Sequence, residues 1–312
     1  MASEDPAYTE AWLAGFDGHQ FYTRTYRAAT SPPRAVLLFL HGFAEHVGRH
    51  EHEHTYWAAR GITVFAMDER GFGRTALDSK RSKDAAYGKT CHELEMRDIE
   101  FWVRYLRKEY PDAPLFLMGH SMGGALALAF PTQSRPPPST ETVEMLSGVV
   151  SSSPLIILVN QPAKLLRGLG GYAAKIIPWV PFPAKVSPED LSHDPAVNNA
   201  VDPDPLIKSH ATFRQLGDML NRGEDVLNNG PTHWPKKLPI LIVHGDADKV
   251  TSHKASEQFI DRLDAEDKKL TLFPGGYHEL TNEPDGVKEK FWDECIAWIH
   301  QRALAPGALA KL

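Results

Sequence analysis

The stretch Leu115-Phe116-Leu117-Met118-Gly119-His120-Ser121-Met122-Gly123-Gly124-Ala125-Leu126-Ala127-Leu128 decides the fold. Its apolar start reads as a strand buried on both faces, and the Ala/Leu-rich run from Met122 to Phe130 reads as a helix. Between them, Gly119 to Gly123 match the pattern Gly-x-Ser-x-Gly. In that setting the serine sits on a sharp strand-to-helix turn, where flanking glycines let the backbone fold tightly and expose the hydroxyl. The helix start after it adds free N–H groups and the positive end of a helix dipole. A serine in an ordinary glycine-rich turn needs neither the strand before it nor the helix after it. Ser121 is therefore read as a nucleophile.

Outward from this point, short apolar runs alternate with longer amphipathic stretches. The runs are Ala35–Leu40, Ile62–Ala66, Gly148–Val150, Pro239–Val243 and Leu270–Phe273. Between them Ile99, Trp102, Val103 and Leu106 recur at helical spacing, as do Phe291, Cys295, Trp298 and Ile299. Such alternation predicts a mostly parallel sheet with helices on both faces; with the Ser121 turn at a strand end, the expected fold class is an α/β-hydrolase core. Asp17-Gly18 before Phe21–Arg27 signals a hairpin and an antiparallel edge. From about Pro154 to Pro235 the alternation fails, and apolar residues are broken by Gly and Pro. The expected organisation is a core of residues 1–153 and 236–312 with a helical cap, residues 154–235, inserted between them. Phe130 to Thr142, with Pro136-Pro137-Pro138, reads as a surface loop.

The 312 residues carry 42% hydrophobic and 24% charged side chains, ordinary for a folded globular chain. The net charge of −6, without a basic run, argues against a nucleic-acid partner. Two distant cysteines, Cys91 and Cys295, make a disulfide framework unexpected. Met1 to Glu10 is acidic and lacks the apolar stretch of a secretory signal, and no apolar run reaches membrane-spanning length. The expectation is a cytoplasmic protein. Its last residues, Ala310-Lys311-Leu312, differ by one small residue from the Ser-Lys-Leu peroxisomal address.

A serine hydroxyl attacks a carbonyl only when a base takes its proton, and an acid must orient that base. This fold supplies them after later strands, in the order acid, then histidine. His244-Gly245-Asp246-Ala247-Asp248 offers two acids, and Asp248 is favoured because it lies further round the loop. Pro274-Gly275-Gly276-Tyr277-His278 offers the base, His278; His300, on a later helix, is read as a solvated side chain. The backbone N–H groups of Phe43, after the first parallel strand, and of Met122 are the expected oxyanion donors. His50-Glu51-His52-Glu53-His54 also satisfies His-Glu-x-x-His, the zinc-protease pattern. Few apolar residues flank it, so a solvated helix face is expected there, with no metal.

With these residues placed, the chain resembles the monoacylglycerol lipases, the fungal members most closely, from Gly15 to its C-terminal helix. The likeness rests on His41-Gly42-Phe43-Ala44-Glu45-His46-Val47-Gly48-Arg49, Asp68-Glu69-Arg70-Gly71-Phe72-Gly73-Arg74, Gly119 to Gly124, Asp204-Pro205-Leu206-Ile207, Gly245 to Asp248 and Gly276 to His278. The resemblance implies an α/β-hydrolase with a cap over an apolar acyl tunnel, cleaving monoacylglycerol to glycerol and fatty acid without a cofactor. It implies that Glu45 and Arg49 form the polar end of that tunnel. Some members carry a second histidine three residues after the catalytic one; here Thr281 stands there, and cap cysteines of some relatives are missing. Leu165, Leu166, Leu169, Ile176, Ile177, Trp179 and Phe182 suit contact with a membrane or lipid-droplet surface, with Leu166 and Ile176 expected at the substrate. A broader carboxylesterase or lysophospholipase is the alternative on the same fold.

Overall fold

The computed structural model describes residues 7–304, apart from the side chains of residues 164–166. The first six residues, the Ala310-Lys311-Leu312 terminus and the side chains of Leu165 and Leu166 thus lie outside the described residues. The strands are β1 (Thr9–Ala14), β2 (Gln20–Tyr26), β3 (Ala35–Leu40), β4 (Ile62–Met67), β5 (Leu115–His120), β6 (Gly148–Ser152), β7 (Pro181–Pro183), β8 (His210–Thr212), β9 (Ile240–Gly245) and β10 (Lys268–Phe273). The main helices are α1 (Glu51–Ala58), α2 (His92–Glu109), α3 (Met122–Ala129), α4 (Lys164–Ile176), α5 (Phe213–Asn228), α6 (His253–Arg262) and α7 (Val287–Ala303).

Eight strands form one sheet in the order β1-β2-β4-β3-β5-β6-β9-β10. The β1–β2 hairpin and the β2–β4 pair are antiparallel, and every later pair is parallel. The hairpin turn uses Gly18 at φ 81°, the left-handed region that glycine enters freely. All six residues of β3 are buried. Its alternation sorts them between two cores, as a strand covered on both faces requires. Val36, Leu38 and Leu40 belong to one core, with Trp102 of α2 and Phe259 of α6, while Leu37 and Phe39 belong to the other, with Trp57 of α1 and Phe291 of α7. Within α2, Met96, Ile99, Trp102, Val103 and Leu106 are the buried apolar stripe.

Between β6 and β9 the chain leaves the sheet and runs through α4, the two-stranded β7–β8 ribbon and α5. Met219 of α5 joins Met122, Ala125 and Leu155 in a third apolar cluster, so this segment packs directly on α3. The stretch Phe130–Thr142 departs from a plain surface loop. Phe130, Pro131 and Thr132 are buried in a short 3₁₀ turn, and a helical turn at Thr140–Val143 is capped by Ser139. Phe130 belongs to the core behind α2, and between the two turns only Ser134, Arg135 and Pro136 are exposed. Among the described residues, no helix is long and apolar enough to cross a membrane.

Candidate active site

The loops leaving the C-terminal ends of β3, β5, β9 and β10 carry Phe43, Ser121, Asp248 and His278. Parallel strands place such loops on one edge of the sheet, which brings together residues up to 235 positions apart in sequence. Ser121 caps α3 with φ 52° and ψ −112°. For a non-glycine residue that backbone costs on the order of 1–3 kcal/mol. The turn has no room for side chains beside it. A Cβ on Gly119 would lie 2.1 Å from the Gly123 carbonyl oxygen, and one on Gly123 would lie 2.4 Å from the carbonyl oxygens of Leu40 and His41.

The Ser121 hydroxyl lies 2.9 Å from His278 Nε2, and His278 Nδ1 lies 2.8 Å from Asp248 Oδ2. All three side chains are buried. With the proton on Nδ1 donated to Asp248, Nε2 keeps a lone pair aimed at the hydroxyl, the geometry of a general base. Asp248 is held on both oxygens: Oδ1 accepts from the amides of Val250 (2.7 Å) and Thr251 (2.9 Å). Oδ2 also accepts from the Thr251 hydroxyl at 2.8 Å and lies 3.1 Å from His244 Nε2. Asp246, the alternative acid, is exposed and accepts from the Gly275 amide instead. His300 sits half-buried on α7, not solvated as expected, because that helix packs against the sheet.

The charges reinforce this geometry. Burial alone would raise the Asp248 carboxyl, but the His278 charge and the hydrogen bonds from His244 and His278 hold it well below the usual range. Burial disfavours the His278 cation, and the Asp248 carboxylate, helped by Glu279 and Glu45, outweighs that and raises the ring. Its neighbour His120, with ring centroids 4.9 Å apart, is pushed down to about 3 by burial and the His278 charge. His120 is therefore neutral at the wall of the site.

The amides of Phe43 and Met122, near Ser121, have no partner among the described residues. The Gly42 amide, by contrast, is taken by the Glu45 carboxylate. The loop that presents Phe43 is strained, with Ala44 at φ 54°. It is braced from the neighbouring loop: Asp68 accepts from the Val47 amide at 2.9 Å, and the Glu69 amide donates to His41 Nε2 at 2.9 Å.

A cavity of about 640 Å³ opens from Ser121 and His278 between this edge and the α4–α5 segment. Leu158, Phe213, Leu216 and Leu220 give it apolar walls. Glu45, Arg49 and Glu279 give it a charged end. Arg49 Nη2 meets both oxygens of Glu279 at 2.6 and 2.7 Å, and Arg49 Nε lies 3.4 Å from Glu45. Ile176, expected at the substrate, does not line the cavity. Leu169, Gly170 and Ala173 of α4 do, whereas Ile176 is exposed to solvent.

The His-Glu-x-x-His segment is not a solvated face. His50, Glu53 and His54 are buried against Phe39, Tyr26 and Trp57, because the turn before α1 folds it onto the sheet. Their ligand atoms lie within 4.8 Å of one another. His50, however, sits between Glu53 (3.1 Å) and Glu45 (3.3 Å), and despite burial the two carboxylates raise it to about 10. Both of its ring nitrogens thus face carboxylates rather than solvent. Its charge steadies Glu45 from behind.

Sequence reasoning missed Glu279, His120 and His244. The signal for all three was adjacency: each lies beside or near a site residue in the stretches that announced the site.

A strained serine elbow, a base and a buried acid after successive strands of a parallel sheet define a serine hydrolase of the α/β-hydrolase class. The chain belongs to the Hydrolase_4 family (serine aminopeptidase, S33), whose model matches residues 31–285. It is 29% identical over 305 residues to a monoglyceride lipase of Saccharomyces cerevisiae, covering 93% of each chain. It is 29% identical over 304 residues to human monoglyceride lipase, covering 95% of this chain and 91% of that one. The crystal structure of a soluble variant of the Saccharomyces cerevisiae monoglyceride lipase with a substrate analogue superposes with a TM-score of 0.84. That match has 26% identity and covers 98% of this chain and 99% of the other.

Proposed function

We propose that the chain hydrolyses monoacylglycerol to glycerol and a fatty acid through an acyl-enzyme on Ser121, without a cofactor. The observation that carries this reading is one cavity with two characters: the Ser121–His278–Asp248 chain at its base, a carboxylate–guanidinium end and apolar walls. One acyl chain and one small neutral headgroup fill such a space.

In the first step His278 Nε2 takes the Ser121 proton as Oγ bonds to the ester carbonyl carbon. The N–H groups of Phe43 and Met122 receive the oxyanion, a contribution of roughly 3 kcal/mol per donor. Collapse breaks the ester C–O bond, and the protonated His278 hands its proton to the departing glycerol oxygen. Water then repeats the sequence on the acyl-enzyme, with His278 again as base, and releases the acid.

The reading includes residues 154–235 as a lid that meets a lipid surface. Its support is a run of exposed apolar side chains within a short span: Leu169, Tyr172, Ile176, Ile177, Trp179 and Val180, each more than 40% exposed. A patch of this kind on a monomer marks a contact surface. Replacing Ile176 and Trp179 together with aspartate is expected to cut co-sedimentation with phosphatidylcholine vesicles several-fold. Activity on dispersed monooleoylglycerol is expected to fall with it, with little change on a soluble short-chain ester. Unchanged vesicle binding would remove the lipid-surface part of the reading.

The substrate itself is tested by glycerol release from monooleoylglycerol beside dioleoylglycerol, trioleoylglycerol and a lysophospholipid. The expected result is a preference of tenfold or more for the monoacyl substrate. Equal rates on all four would reduce the reading to a broad lipid esterase.

A further inference from the structure

Glu279 directly follows His278, is buried, and still lines the cavity. Arg49 Nη2 bonds to both of its oxygens, and Asn282 Nδ2 donates to Oε2 at 2.7 Å. Its amide donates to the Leu191 carbonyl at 2.8 Å, tying it to the segment above the site. Thr281, three residues after His278, donates nothing to the cavity. Its hydroxyl accepts from the Trp292 indole at 2.9 Å, and it is not part of the lining.

A carboxylate accepts about four hydrogen bonds, and Arg49 and Asn282 occupy three of the positions on Glu279. One acceptor position on Oε1 is left beside the guanidinium. A glycerol hydroxyl, donor and acceptor at once, matches that juxtaposition. An ionised phosphate does not: it only accepts, and the cations at this end, Arg49 and His50, are each already held by carboxylates. It would meet the oxygens of Glu45 and Glu279 without a free counter-charge.

We propose that Glu279 determines headgroup specificity, holding Arg49 and accepting a hydrogen bond from a free hydroxyl of a neutral glycerol headgroup while excluding anionic headgroups. This rests on the monoacylglycerol reading and names the group that enforces it. A site built to bond a hydroxyl loses one to two orders of magnitude in selectivity when the acceptor is weakened.

The test compares wild type and Glu279→Gln on three substrates sharing one acyl chain: monooleoylglycerol, ethyl oleate and oleoyl lysophosphatidate. All are measured at the pH of maximal rate, since the Glu279 charge also bears on His278. The kcat/KM ratio of monooleoylglycerol to ethyl oleate is expected to fall about tenfold, chiefly through KM, and the ratio to lysophosphatidate by more. Glu279→Asp, which keeps the charge, is expected to recover part of each ratio and stands in should the glutamine variant not fold. Equal losses on monooleoylglycerol and ethyl oleate would make Glu279 a support for His278 alone and overturn the proposal. Unchanged ratios would overturn it too. A wild type without preference for monooleoylglycerol over ethyl oleate overturns the monoacylglycerol reading first, and this proposal with it.

Discussion

Ser121→Ala is expected to lower kcat on monooleoylglycerol by on the order of 10⁵-fold, about 7 kcal/mol of barrier. The substitution removes the one oxygen that can bond to the carbonyl carbon and leaves everything else in place. The hydroxyl makes a single hydrogen bond, to His278, and alanine can occupy the same φ 52° backbone with no new contact. Stability is therefore expected to stay within about 1 kcal/mol, as for a small change that opens no cavity. Lipid binding should persist, and covalent labelling by a fluorophosphonate should vanish. Steady-state glycerol release, thermal unfolding and labelling on the same preparation make the comparison. Residual hydrolysis within a hundredfold of wild type would mean that another nucleophile carries the reaction.

Asp248→Asn is expected to cost about 10⁴-fold in kcat, and the hydrogen-bond inventory says why. The amides of Val250 and Thr251 both donate to Oδ1, so that position must remain an oxygen in the variant. The new NH₂ then falls at the Oδ2 position, facing His278 Nδ1. It donates to that nitrogen and drives the ring proton to Nε2, where it points at Ser121 and cannot accept. The wrong tautomer is thus imposed by two backbone groups. His244 and the Thr251 hydroxyl also lose their acceptor, which adds roughly 1–3 kcal/mol of destabilisation, read as a lower unfolding midpoint.

The pH profile gives a second readout of the same change. The ring of His278 faces Asp248, Glu279, Glu45 and the neutral His120, and the carboxylates raise it above the ordinary 6.5 despite burial. A base works only when unprotonated, so wild-type kcat/KM should climb with pH through a midpoint above 6.5. Without the Asp248 charge the imidazolium loses its largest support. The midpoint of the residual activity should move to lower pH. If Asp246→Asn shows the loss and Asp248→Asn retains activity within tenfold, the assignment of the acid is wrong.

Much of this molecule is legible in local sequence. The six all-buried residues of β3, the helical spacing of Ile99, Trp102 and Leu106, and the glycines around Ser121 state the architecture, because burial on two faces and a steric limit of 2.1 Å are local demands. The same holds for the loops that carry the acid and the base. His50, Glu53 and His54 read as a solvated helix face because their neighbours in sequence are charged. In space the two histidine rings pack on Phe39 and Tyr26, from distant strands. Glu279 was passed over beside the histidine that drew attention, since its partner Arg49 lies 230 residues earlier.

What the sequence by itself determined was the strand–helix order and the chemical identity of the elbow, the base loop and the acid loop, each set by periodicity or by a turn only certain residues allow. Only the tertiary structure brings Asp248 and not Asp246 to His278, keeps Ile176 off the cavity wall, and turns a histidine-rich helix into a buried charge pair behind Glu45. The physical reason is range. Steric and propensity terms act within a turn of chain, whereas hydrogen-bond partners, dielectric surroundings and cavity walls are set by whichever distant segments the sheet brings to its C-terminal edge.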